Sequence, residues 1–308
     1  MGSAIACHFA NIGCQVILLD IAPKELLPDE KAKGLTLESK PVKNRIVQSS
    51  FDRAIKSKPA PLYSKKFASR ISLGNFTDDL PRIKECDWTI EVVVENLDIK
   101  RKVYDEVEKH RKPGALITSN TSGIPIHLMA EGRSEDFKKN FCGTHFFNPP
   151  RYLRLLEIIP TPHTDPNTIS FLMHYGDLHL GKTTVLCKDT PAFIANRIGV
   201  YGIMKVLDSM RKLDLNIDEV DKLTGPVIGR PKSATFRTTD LVGLDTMIKV
   251  ATNLSQALPD DEERDRFVVP DSLLKMEQQK WLGDKTGQGF YKKTKTTKGE
   301  TEILTLDL

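Results

Sequence analysis

The sequence predicts an α/β protein: a Rossmann-like, doubly wound parallel sheet followed by an all-helical domain. Three observations carry this expectation. Short apolar runs recur through the first half of the chain, amphipathic helical patterns lie between them, and beyond about residue 189 the pattern is helical.

Taken in order, QVILLD (15–20), DWTIEVVVE (87–95), GALITSN (114–120), FCGTHFFN (141–148) and LRLLEII (153–159) read as buried strands. Between two of them, NLDIKRKVYDEVEKH (96–110) sets Leu97, Val103, Tyr104 and Val107 on one helical face. Strand, crossover helix and strand in succession favour parallel pairing. A boundary is expected near 186–190. After it, PAFIANRIGVYGIMKVLDSM (191–210) opens with a proline suited to a first helical turn. NIDEVDKLTG, TDLVGLDTMIKVATNL and SLLKMEQQKWLG continue the helical pattern. The expected organisation is an α/β sheet domain over 1–187 with a basic helical insertion over about 31–70, a helical domain over 188–291, and a tail or linker over 292–308.

With 308 residues, 39% of them apolar, the chain has material for a substantial core. Its net charge of +4 is near balance and commits it to neither nucleic acid nor a membrane surface. The charge is unevenly placed, however. Residues 31–70 hold eleven lysines and arginines against Glu38 and Asp52, a local +9 that leaves −5 for the rest. Such a segment suits one anionic ligand or surface. It offers only Phe51, Tyr63 and Phe67 for base stacking, so nucleic acid is not the expected partner. The five cysteines fall singly, with no C-x-x-C and no histidine at metal-ligand spacing, so no metal is expected and a reducing, cytoplasmic setting fits. No apolar run approaches the length of a bilayer span.

The opening residues, MGSAIACHFANIGCQVILLD, pose a question. In a G-x-G-x-x-G turn the last glycine lets the helix pack closely on the first strand while the helix N-terminus faces a pyrophosphate, and an acid about 20 residues on binds the ribose. Gly2 suits that third glycine, and Asp20 lies at the end of QVILLD. On this reading the first strand and the first two glycines stand before Met1. The same residues also suit an ordinary helix start and strand end.

Four stretches occur together and in order: SNTSGIP (119–125), GTHFFNPP (143–150) with LLEII (155–159), KDTPAFIANR (188–197) and DKTGQGFYKK (284–293). By them the chain resembles the 3-hydroxyacyl-CoA dehydrogenase family along essentially its whole length. With VVENLDIK (93–100), GRPKSATFRT and the long basic segment it looks closest to the dehydrogenase part of bacterial multifunctional fatty-acid oxidation proteins. The resemblance implies NAD-dependent oxidation of an L-3-hydroxyacyl-CoA in β-oxidation.

It implies His145 as the catalytic base, Glu157 as its partner, and Ser122 and Asn196 as polar contacts to the substrate. The chemistry is coherent: oxidising a secondary alcohol needs a proton acceptor near neutrality, and a carboxylate fixes the imidazole tautomer. A core histidine beside a strand-end glutamate is the plainer reading of the same pair. The resemblance further places Gly2, Asp20, Glu95, Lys100, Asn148 and Lys285 around NAD, although the two lysines also suit solvated positions. An acid at the ribose favours NAD over NADP. Arg53 and Lys56, in the basic segment, are the expected contacts to CoA phosphates.

One departure stands out in the helical part, where GPVIGRPKSATFRTTDLVGLD (225–245) replaces a shorter Gly-Pro-Phe stretch. Two further expectations follow from the resemblance: the helical domain packs in a homodimer or on further domains of a longer chain, and, as the alternative to catalysis, a truncated relative keeps the fold as a structural module.

Overall fold

Seven strands form in the first part of the chain, each where a β-branched or apolar run is broken by Gly, Pro, Asn or a charged turn. They are β1 (Val16–Asp20), β2 (Ile71–Asn75), β3 (Trp88–Glu91), β4 (Leu116–Ser119), β5 (Phe141–Phe146), β6 (Leu155–Pro160) and β7 (Thr183–Leu186). The computed structural model describes residues 1–308, divided into two units, Met1–Thr190 and Pro191–Leu308.

In the first unit β1 and β2 pair in parallel, and β3-β4-β5-β6-β7 form a second sheet that is parallel except for the antiparallel β5–β6 pair. The doubly wound sheet is thus split between β1 and β3. The helix Gly2–Asn11 spans the split. Ile5 and Phe9 pack with Trp88, Ile90, Cys142 and Phe146 on the larger sheet. Ala6, Cys7 and Ala10 pack with Leu18, Phe51 and Ile71 on the smaller one. Its first residue lies between them, for a side chain at Gly2 would start 3.7 Å from Val92 Cβ and 3.9 Å from Leu18 Cδ1. The long apolar face of GSAIACHFAN, small enough for close approach, is what lets one helix serve two sheets.

Several expected boundaries move. The run expected as one strand over 87–95 is extended only to Glu91, because the Glu91 side chain turns onto the Val93 amide at 2.5 Å and diverts the backbone. ISLGN (71–75) and TTVL (183–186) are strands that periodicity did not single out. The helix over 96–110 is present as Leu97–His110, capped by Asn96, whose side chain accepts from the Ile99 amide. The basic insertion is helical in pieces, with Arg45–Lys56 its longest helix. Asn11 fastens the end of that insertion, donating to Pro61 O at 2.9 Å and accepting from the Tyr63 amide at 2.8 Å.

In the second unit the helix expected from Pro191 begins only at Ala195, because Ala192 and Phe193 adopt left-handed backbone, φ 58° and 52°. Helices Ala195–Lys212, Phe236–Val242, Leu244–Ala257 and Asp271–Gln278 enclose a core that includes Met204, Phe236, Leu244, Leu273 and Phe290. The tail expected over 292–308 is instead part of a hairpin. Antiparallel β8 (Tyr291–Lys295) and β9 (Thr301–Thr305) turn through Gly299 at φ 79°, and Leu306 returns to the core, its amide donating to Phe290 O at 2.9 Å. Alternation of Thr and Lys with larger residues supplied a strand pattern that composition concealed.

Candidate active site

The antiparallel β5–β6 ladder sets His145 directly opposite Glu157. Both are buried, and His145 Nδ1 lies 2.6 Å from Glu157 Oε2. A carboxylate can only accept, so Nδ1 carries the hydrogen and Nε2 is the ring nitrogen without one. The Phe147 ring lies 4.4 Å from the imidazole and limits its rotation. Cys187, just past β7, completes the surroundings of the acid. Burial first, then the charge and hydrogen bonding of Glu157, push its thiol up to about 12. Cys187 is therefore a neutral neighbour that sequence reasoning did not find.

Beside this ladder, the loop after β4 carries Ser122. Asn120 ties the loop to β5 by accepting from the Phe146 amide at 2.9 Å. Glu95 gathers the rest of it, accepting from Thr121 Oγ1 at 2.6 Å and from the Ser122 and Gly123 amides at 3.0 and 3.1 Å. Burial pushes the Glu95 carboxyl up, but Thr121, Lys100 and the Ser122 amide outweigh it and hold the group below its usual range. Lys100 is fully buried, its ammonium 2.9 Å from Glu91 and 3.4 Å from Glu95. The sequence placed Glu95 and Lys100 near the cofactor separately. The structure joins them directly, and Lys100 links both to Glu91, a residue hidden in the sequence by the apolar run around it.

Gly2 opens the ten-residue first helix, which has no side-chain cap and no acid in its first turn, as a site for phosphate oxygens needs. Asp20 ends β1 with Oδ1 accepting from the Ile21 amide at 2.8 Å. Asn148 is exposed and joined to Pro149 by a cis peptide. The loop that follows is held from below by Lys182, whose ammonium donates to Pro150 O and, at 2.8 Å, to Leu153 O. Burial lowers that ammonium to about 8. Arg53 and Lys56 are exposed on the helix Arg45–Lys56, where with Pro41, Arg45, Gln48 and Ser49 they line a shallow groove that Asp52 also enters.

The remaining two expected residues belong to the second unit. Asn196 is the second residue of the helix Ala195–Lys212. Lys285 is ion-paired with Asp245. No cluster of three His, Cys, Asp or Glu side chains is arranged to hold a metal ion, and no helix is long and apolar enough to cross a membrane.

A dinucleotide-type α/β unit whose sheet carries a buried His–Glu pair, followed by a mainly helical unit that ends in a hairpin, has the architecture of the two-domain dehydrogenases. Known proteins identify which kind. Residues 1–190 match the model of the 3-hydroxyacyl-CoA dehydrogenase NAD binding domain, and residues 193–293 match that of the 3-hydroxyacyl-CoA dehydrogenase C-terminal domain. The chain belongs to the 3-hydroxyacyl-CoA dehydrogenase family.

A probable 3-hydroxyacyl-CoA dehydrogenase of Bacillus subtilis is 52% identical over 306 residues, covering 99% of this chain and 39% of the relative. One of Deinococcus radiodurans is 47% identical, covering 99% and 83%. The chain thus spans well under half the length of the first relative and most of the second. Among solved structures, (S)-3-hydroxybutyryl-CoA dehydrogenase from Ralstonia eutropha superimposes with a TM-score of 0.72 at 28% identity, covering 94% of each chain.

Proposed function

We propose that this chain oxidises the 3-hydroxyl of an L-3-hydroxyacyl-CoA, with NAD as hydride acceptor and His145 as the base. The observation that carries the reading is the 2.6 Å contact between His145 Nδ1 and Glu157 Oε2 in a buried ladder. As the carbinol carbon gives up its hydride, the hydroxyl proton passes to His145 Nε2. Glu157 then faces an imidazolium, whose charge it stabilises while keeping the ring in place. Ser122 supplies a hydrogen bond to a substrate oxygen. When bound, NAD supplies the ring that accepts the hydride. The uncapped helix end at Gly2 and the Asp20 carboxylate suit its pyrophosphate and ribose. Glu95 and Asn148 stand at the same cofactor, buried Lys100 acting there only through Glu95, and Arg53 and Lys56 meet CoA phosphates at the groove.

A buried carboxylate and its imidazole partner retained without use are a net cost, since two hydrophobic residues of similar volume commonly stabilise as well or better. The intact His145–Glu157 pair therefore supports catalysis over a structural module that has lost it. The setting that fits the bacterial relatives is the cytoplasm. The second unit would pack in a homodimer or, as the 39% coverage of the Bacillus relative accommodates, on further domains.

Replacing His145 by Gln tests the assignment. Turnover should fall by about 10²–10⁴-fold with NADH affinity nearly intact, because the base acts on the alcohol proton. Parent turnover in steady-state assays would remove His145 from the role.

A further inference from the structure

Behind the Ser122 loop lies a second buried carboxylate. Glu91, at the end of β3, accepts from Lys100 Nζ at 2.9 and 3.0 Å, from Tyr104 Oη at 3.0 Å, from Ser119 Oγ at 2.7 Å and from the Val93 amide at 2.5 Å. Lys100 and Tyr104 are on the helix Leu97–His110, and Ser119 ends β4. One acid thus ties two strand ends to one helix. Lys100 and Tyr104 are completely enclosed, and an anion in such a place persists only with this number of donors. Burial and the Glu91 charge raise the Tyr104 hydroxyl well above its ordinary range, so it remains a donor.

Three routes lead from Glu91 to the loop. Its backbone carbonyl accepts from the Asn120 amide at 2.8 Å. Through Ser119, whose Oγ also accepts from the Thr121 amide at 3.2 Å, it reaches the next residue. Through Lys100 it reaches Glu95, which holds the Ser122 and Gly123 amides. No part of Glu91 is exposed enough to meet a ligand, its side chain being 1% accessible.

We infer that Glu91 is a positioning residue for the dehydrogenase reaction, setting the place of the Ser122 hydroxyl through the Ser119 contact and the Lys100–Glu95 pair. The inference rests on the reading that Ser122 meets the substrate. It gives the two buried acids different roles, since Glu157 orients the base and Glu91 orients the loop that holds the alcohol. A misplacement of a fraction of an ångström at such a loop is enough to slow turnover strongly.

Glu91→Gln keeps the shape and removes the charge. Hydrogen exchange of the peptide covering 119–124 should speed up about tenfold or more, while the β5–β6 peptide over 141–160 keeps its protection. Turnover should fall about tenfold, and the pH profile should keep its shape because the His145–Glu157 pair is untouched. Adding Glu91→Gln to Ser122→Ala should cost little more than Ser122→Ala alone. Unchanged exchange over 119–124 would overturn the inference, as would losses that simply add when Ser122→Ala is itself impaired. Ser122→Ala at parent turnover, with exchange still faster in Glu91→Gln, would instead sink the substrate role of Ser122 and leave the positioning intact. Should Glu91→Gln fail to fold, Ser119→Ala deletes one hydroxyl and spares the ion pair. Its 119–124 exchange should then rise by a smaller factor, and no rise would count against Glu91.

Discussion

Buried carboxylates occur in both units, and their partners differ. In the sheet unit, Glu157 meets an imidazole and Glu91 meets an ammonium, each across neighbouring strands or a strand and a helix. In the helical unit, Asp240 accepts from the Phe290 and Tyr291 amides at 2.9 Å each. Asp221 accepts from the amides of Thr235, Phe236 and Arg237 and from the Tyr291 hydroxyl. The first pair holds side chains that can carry a positive charge, an imidazole and an ammonium. The second satisfies backbone that would otherwise lie buried and unpaired. Glu157 lies in LLEII, a stretch by which the sequence resembles its family, and Asp240 is met by the amides of another, DKTGQGFYKK, so the strength of a motif does not say whether it serves chemistry or architecture.

DKTGQGFYKK illustrates the second case. A Cβ on Gly283, at φ 103°, would lie 2.2 Å from Asp240 O, and one on Gly289 would lie 2.0 Å from Asp240 Oδ1. Gly289 within the stretch leaves room for the Asp240 carboxylate, and Gly283 just before it leaves room for the Asp240 backbone. Burial raises the Asp240 carboxyl above its ordinary range, and the two amides offset part of that.

The contrast can be broken most forcefully at Asp240. Its replacement by Ala leaves the Phe290 and Tyr291 amides without their acceptor, which should lower stability by about 2–4 kcal/mol. The signature is a fall in the melting temperature of the helical unit with NADH binding by the sheet unit retained. A melt indistinguishable from the parent would show that the amides find other acceptors.

Glu157→Gln should have the next largest effect. Turnover should drop about tenfold, less than for His145→Gln, because a glutamine oxygen still accepts from Nδ1 but supplies no charge to the imidazolium. The pH–rate profile should shift as well. Identical profiles would argue that the pair is architectural, like the acids of the helical unit.

His8 sharpens the comparison from the other side, being a buried titratable group of the sheet unit whose ring bonds to backbone, with Nε2 3.1 Å from Leu180 O. Burial first, then the Lys182 charge, lowers it to about 4, and its Nδ1 has no hydrogen-bond partner. Between pH 6.5 and about 4 the unfolded chain binds a proton here that the folded chain refuses, so this stability is lost as pH falls through that window. By pH 5 the loss is about 2 kcal/mol. Denaturant melts of His8→Leu should show a shallower decline from pH 7 to 5 than the parent, and equal slopes would exclude His8 as the source.

Much of the fold was legible where local rules act alone. The helix Leu97–His110 follows from its apolar face and the Asn96 cap, and the helix from Gly2 and the strand ending at Asp20 follow from composition and punctuation. What long-range pairing decides was not legible. Nothing local in TIEVVVE announces that Glu91 leaves the strand face to collect a helix, and nothing near Lys285 points to Asp245 forty residues away. Likewise, the distance of twelve residues between His145 and Glu157 acquires meaning only from the antiparallel register that sets them opposite each other.

That register has an evolutionary consequence. His145 and Glu157 are matched by the ladder itself, and the turn connecting their strands, 147–154, does not determine their separation. Its backbone is fastened through the Pro150 and Leu153 carbonyls to Lys182, which leaves the side chains of Tyr152 and Leu153, both more than two-fifths exposed, unconstrained by the proton-transfer pair. A lineage can therefore change these two side chains without altering the opposition of His145 and Glu157. A library diversified at those two positions should keep the pH dependence of turnover close to the parent's, even where Tyr152 gives up its hydrogen bond to Ala60 O.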